Sequence, residues 1–122
     1  MTDTQEPDRS RPLSITRTTV KDIQVVTLRG EIDQSVKDAW LKTLLPVEDS
    51  AAPWRIVADL SGVTFMDSTG INTLITAHQA ASSTGGWLRI AGAQEAVQRV
   101  LGIVGLDQLI DCHPTLTQAL SG

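Results

Sequence analysis

The chain has 122 residues, 41% of them hydrophobic, and a net charge of −4, which suits one domain with a sizeable, mainly aliphatic core. The acidic balance and the lack of a dense Lys/Arg cluster argue against a phosphate-backbone footprint, so nucleic acid is not an expected partner. No apolar run approaches the roughly 20 residues of a membrane span, and the polar start from Met1 to Arg11 lacks a signal-peptide core; a cytoplasmic protein without membrane attachment is expected.

Met1 to Pro12 mixes Thr, Asp, Glu, Arg and Pro with almost nothing apolar, which predicts a disordered arm over residues 1–12 ahead of a folded domain over 13–122. Leu13, Ile15 and Arg17 alternate with Ser14, Thr16 and Thr18, an edge-strand pattern. Val20-Lys21-Asp22 suits a turn, and Ile23 to Leu28 is rich in β-branched residues, so an antiparallel hairpin opens the domain. Gly30 is expected to end that second strand. Asp33 can cap a helix reaching about Leu45, with Val36, Trp40, Leu41, Leu44 and Leu45 at helical spacing and Pro46 as its stop.

Val47 to Pro53 reads as an acidic loop. A central strand follows from Trp54 to Leu60, buried on both faces around Ile56-Val57-Ala58. After a connection holding Thr64-Phe65-Met66, a helix places Ile71, Leu74, Ile75, His78 and Ala81 or Ser82 on one stripe, and Gly85-Gly86 ends it. Trp87 to Ala91 predicts a strand, and Gln94 to Val104 a helix with Val97, Val100, Leu101 and Val104 inward and Gly105 beyond its end. Leu109-Ile110 predicts a short strand and Thr115 to Leu120 a short helix. Strands alternating with helices imply an α/β fold: a mixed, mostly parallel sheet of about five strands with about four helices, its opening hairpin giving the antiparallel edge.

The segment Asp67-Ser68-Thr69-Gly70 sits where a strand hands over to a helix. The first N–H groups of a helix lack internal partners, and the dipole there favours negative charge. Asp67 or Ser68 as a cap, contributing about 0.5–2 kcal/mol, is the ordinary explanation. A phosphate on Ser68 would add about −1.5 to −2 charges at that point. Catalytic readings fit poorly. The aspartic-protease pattern has one residue fewer between Asp and Gly, and a single copy would need a second chain to supply its other carboxylate. In a nucleophile elbow the first Gly would stand where Met66 does. His78 falls on the apolar stripe and offers Ser68 no evident base. Cys112 is the only cysteine, so no intramolecular disulfide forms, and with His113 alone beside it no metal site is expected. No nucleotide-type Gly pattern is present, and no cofactor is expected.

Gly30-Glu31-Ile32-Asp33 closes the second strand and the Ser68 segment follows the third. Both therefore lie at C-terminal strand ends, where open α/β sheets gather their binding sites. Gly30-Glu31-Ile32-Asp33 followed by Val63-Thr64-Phe65-Met66-Asp67-Ser68-Thr69-Gly70-Ile71 closely resembles STAS-domain anti-sigma factor antagonists, over roughly Leu13 to Leu120. Gly105-Leu106, with the aliphatic pair and short helix after it, resembles that family's C-terminal end. Two stretches differ from many relatives: Gln34-Ser35-Val36-Lys37 lacks a Thr-Ala-Pro-like helix start, and Asn72 stands where Gly is frequent.

The resemblance implies a single STAS domain without catalysis of its own. Its implied partner is an anti-sigma factor that is also a serine kinase, bound by the unphosphorylated form so that a sigma factor is released. Ser68 is the implied phosphorylation site and Thr69 a secondary one, while Asp67, Thr69, Gly70, Glu31 and Asp33 shape the partner-binding surface. A PP2C-type serine phosphatase is the implied resetting enzyme. The alternative use of the same fold is a STAS subunit of a larger assembly, a lipid-transport accessory or signalling scaffold, that is never phosphorylated.

Overall fold

The computed structural model of the protein describes residues 14–46 and 53–121. The expected arm over 1–12 and most of the acidic loop fall outside them. Strand β1 (Ser14–Val20) turns through Lys21 and Asp22 into β2 (Ile23–Ile32). Both turn residues have positive φ, 50° and 69°, the backbone that matches a two-residue hairpin to the twist of its strands. The register runs unbroken from Val20↔Ile23 to Ser14↔Arg29.

A short 3-10 turn, Gln34–Val36, leads into α1 (Lys37–Leu44); then follow β3 (Arg55–Met66), α2 (Ser68–Ser83), β4 (Trp87–Ala91) and α3 (Glu95–Ile103). A second 3-10 turn, Leu106–Gln108, precedes β5 (Asp111–His113) and α4 (Leu116–Ser121). The five strands lie in the sheet in chain order. The first pair is antiparallel and the other three are parallel, so the α/β class and the mixed sheet are as expected.

Crossovers of one hand between successive parallel strands place their helices on one face. Trp40 and Leu44 of α1, Ile71, Leu74, Ala77 and Ala81 of α2, and Val97 and Leu101 of α3 share one core with Val26, Leu28, Ile56, Ala58 and Ile90 of the sheet. The next residues along the strands point the other way: Ile23, Val57 and Ala91 pack with Ala119 of α4 on the opposite face. Arg89 stacks on the Trp87 ring at 3.8 Å and donates to the carbonyl of Ala119 at 2.9 Å, fixing that last helix. Behind the first core, the Trp54 indole N–H donates to the Leu44 carbonyl at 2.8 Å, tying the end of α1 to the start of β3.

Three expected boundaries move. First, β2 runs through Gly30 to Ile32; Gly30 takes φ 111° at a register shift where the partner strand β3 carries the extra residue, Thr64, so β2 bends past a bulge there without ending. Second, β3 continues past Ser61-Gly62 to Met66, because it takes up one extra residue between Asp59 and Gly62 and another between Val63 and Phe65, and so keeps pairing with β2 as far as Ile32 opposite Met66. Thr64-Phe65-Met66 is therefore strand, not connection. Third, Leu109-Ile110 is a turn: both amides donate to the Leu106 carbonyl at 2.9 Å, and the fifth strand is Asp111–His113.

The inner face of α2 also differs from the expected stripe. It is built from Gly70, Ile71, Thr73, Leu74, Ala77 and Ala81, with Ile75 at its margin. Ser82 is exposed and His78 half-buried. Small side chains at 70, 73, 77 and 81 let the helix lie close to the sheet, which a count of large apolar residues does not reveal.

Candidate functional site

The parallel pairing of β2 and β3 brings the two sequence segments together. Glu31 stands opposite Phe65 and Ile32 opposite Met66, and the Asp67 amide donates to the Ile32 carbonyl at 3.2 Å. One residue, Asp67, separates the last strand residue from the first helical one. It is extended, with φ −101° and ψ −170°, and its carboxylate accepts from the amides of Thr69 at 2.9 Å and Gly70 at 3.3 Å. Its carbonyl accepts the first helical bond, from Ile71, at 3.2 Å. The cap is therefore Asp67, and Ser68 is left exposed as the first helical residue.

Thr69 is half-buried, its carbonyl accepting from the Thr73 hydroxyl at 2.9 Å. Gly70 is buried against the strand ends. A Cβ there would stand 2.5 Å from Met66 Cγ and 3.0 Å from Ile32 Cγ2, so glycine is what lets α2 start directly on β2 and β3. Asp33 caps the other element at this rim: its carboxylate accepts from the Ser35 amide at 2.9 Å and hydroxyl at 2.6 Å. Glu31 is exposed.

The two apolar residues ahead of the motif part company. Met66 is 4% exposed and belongs to the core, while Phe65 is 49% exposed beside Glu31. An exposed Phe opposite Glu31 at the end of the strand pair is suited to contact another protein. The sequence favours inward packing for both residues, with a partner-facing surface as the alternative; Phe65 turns outward, and strand alternation near a bulge cannot be counted from one strand. Ser68, Asp67, Thr69, Gly70, Glu31 and Asp33 therefore all gather on one rim, the C-terminal end of β2 and β3.

The same geometry limits what the helix start can offer a phosphate. An N-terminus ordinarily presents free amides to an anion, but the Thr69 and Gly70 amides already serve Asp67. A phosphate on Ser68 would lie next to the Asp67 carboxylate and project from the rim. As to chemistry, His78 lies on α2 about 15 Å farther along its axis by helical rise. Among the described residues no three His, Cys, Asp or Glu side chains could hold a metal, and no helix is long and apolar enough to cross a membrane.

The STAS domain family matches residues 14–119. The chain belongs to the STAS domain family. This STAS domain is 33% identical over 90 residues to the anti-sigma-B factor antagonist of Bacillus subtilis, a match covering 74% of the chain and 80% of that protein. A crystal structure of an anti-sigma factor antagonist from Mycobacterium paratuberculosis superposes with TM-score 0.78 at 25% identity, covering 90% of this chain and 92% of that one. The anti-sigma factor antagonist SpoIIAA in its unphosphorylated form shares the fold, with TM-score 0.69 at 18% identity over 88% of this chain and 93% of that one. The resemblance carried by the Gly30–Asp33 and Val63–Ile71 segments is thus borne out.

Proposed function

We propose that this STAS domain is an anti-sigma factor antagonist, a binding module switched by phosphorylation at Ser68. In the unphosphorylated form it binds a cytoplasmic anti-sigma factor, which is also a serine kinase, through Phe65, Glu31, Asp33 and the start of α2, and so frees a sigma factor. The kinase transfers the γ-phosphoryl group of its ATP to the Ser68 hydroxyl oxygen, ADP leaves, and the hydroxyl proton passes to the kinase. A PP2C-type serine phosphatase hydrolyses the ester and resets the module. Thr69 is the secondary acceptor.

The observation that carries this reading is the division of labour at the helix start. Asp67 does the capping, so Ser68 is exposed and structurally unoccupied on a rim that also exposes Phe65. Phosphorylation adds about −1.5 to −2 charges beside Asp67, with two of the nearby amides already engaged. The cost of burying that charge against a partner falls on the interface, so the switch needs no refolding of the domain.

The test is intact-mass analysis after incubation with ATP, magnesium and an anti-sigma serine kinase, in parallel with the Ser68→Ala variant. The expected result is one phosphate on the wild type and none on Ser68→Ala, with the wild type leaving the kinase once modified. Ser68→Ala should change unfolding free energy by less than about 0.5 kcal/mol, as an exposed site away from the cap. A wild type that accepts no phosphate from any anti-sigma kinase overturns the switch. Phosphate that persists on Ser68→Ala moves the site to Thr69.

A further inference from the structure

A second concavity lies two strands away from Ser68, at the β5 side of the sheet. It is a cleft of about 300 Å³ between α3, the Leu106–Gln108 turn and β5. Ala93, Leu101 and Pro114 form its apolar wall, and Gln98, Asp107, Cys112 and His113 its polar groups. The volume is at the lower end of small-molecule sites, roughly 300–1,000 Å³. His113 ends β5, so this cleft too lies toward the C-terminal ends of parallel strands.

The polar groups are mostly acceptors. Gln98 Nε2 is committed to the Ala93 carbonyl at 2.8 Å, which leaves its amide oxygen as the available atom. Asp107 offers a carboxylate. His113 Nε2 is buried with no hydrogen-bond partner among the described residues, although buried polar atoms are nearly always satisfied by protein or water. The Cys112 thiol reports the local field: burial first, then the Asp107 and Asp111 carboxylates, push its pKa up, so it stays neutral. No Lys or Arg lines the cleft.

Such a cleft complements a small cation with N–H donors and a short apolar body. A bare metal ion is a poorer match, since no group of three ligating side chains converges among the described residues. We infer that the cleft binds a small aliphatic amine in its ammonium form, the N–H groups directed to the Asp107 carboxylate and the Gln98 oxygen, and the methylenes lying on Leu101 and Ala93. The site is independent of the Ser68 switch and stands or falls separately from it.

The test is a proton–nitrogen NMR titration of the full chain with n-butylamine and 1,4-diaminobutane, with butyrate and n-butanol as controls. The expected result is saturable shifts of the Ala93, Gln98, Leu101, Asp107 and His113 amides with the amines and not with butyrate. Asp107→Asn should weaken amine binding about tenfold by removing a charge-assisted contact. Gln98→Lys should abolish it by placing a cation in the cleft. Both residues are exposed, so the variants keep the fold, and the unchanged remainder of the spectrum reports that. The inference is overturned if neither amine shifts those amides saturably below about 10 mM, if butyrate binds as well as butylamine, or if Asp107→Asn binds the amines as tightly as the wild type.

Discussion

Two strand-to-helix junctions lie side by side on this sheet and are built in opposite ways. Between β3 and α2 a single residue, Asp67, makes the turn. Its amide donates to Ile32, its carbonyl accepts from Ile71, and its carboxylate caps two helical amides. Between β4 and α3 three residues, Gly92 to Gln94, make it, and Gln94 forms no cap. The Gln94 side chain instead donates to the Ser61 carbonyl at 2.8 Å, and the Gly92 amide donates to the His113 carbonyl at 2.9 Å.

The first junction fixes its helix locally, and the second is held by its neighbours in the sheet. The difference shows where a modifiable residue can be placed without cost to the fold. Ser68 is next to a cap that is complete without it. No such delegation exists at the head of α3, where the Gln94 side chain makes no cap.

The contrast is broken most severely at Gly70. Gly70→Val should destabilise the domain by about 1–3 kcal/mol, since its side chain must displace Met66 and Ile32; urea unfolding would measure it. A loss within experimental error would mean that α2 does not depend on this close approach.

Next comes the cap itself. Asp67→Ala should cost about 1–2 kcal/mol. Gln94→Ala, losing one exposed hydrogen bond, should cost no more than about 0.5 kcal/mol. Equal losses from the two would erase the distinction between the junctions.

The smallest effect is at Cys112. Its raised pKa should make alkylation by iodoacetamide at neutral pH slower than for the same thiol in the urea-unfolded chain. The sign for stability follows from the same shift. Below the unfolded thiol's value, about 8.5, both states are protonated and the contribution is fully present. Above it the unfolded chain ionises first, so stability falls as pH rises toward the folded value, and Cys112→Ser should flatten that decline. A thiol that reacts as fast folded as unfolded would contradict this.

Much of the fold could be read from the chain because its signals are local. The hairpin, the β-branched strands, the Asp67 and Asp33 caps and the glycine stop after α2 each depend on a few adjacent residues. The rim around Ser68 could be read too, because parallel pairing of neighbouring strands brings their ends together. What escaped was set between elements. Ser61-Gly62 follows the expected strand end at Leu60, yet β3 bulges there against β2 and runs on. Leu109-Ile110 looks like a strand, yet the Leu106 carbonyl takes both amides and the polar Asp111-Cys112-His113 pairs instead. The exposure of Phe65 and the cleft beside His113 are tertiary facts with no signature in periodicity.

One consequence of the strand order concerns synthesis on the ribosome. Every strand from β2 onward pairs with the strand made just before it, so the growing chain can add each new strand to a finished edge without waiting for a distant segment. Contacts of short sequence separation close cheaply and quickly. The apolar patch of Ile23, Val57 and Ala91, however, stays open until α4 follows β5. A chain stalled short of α4 would carry an assembled sheet with one sticky face, and that intermediate is the one a chaperone would have to protect.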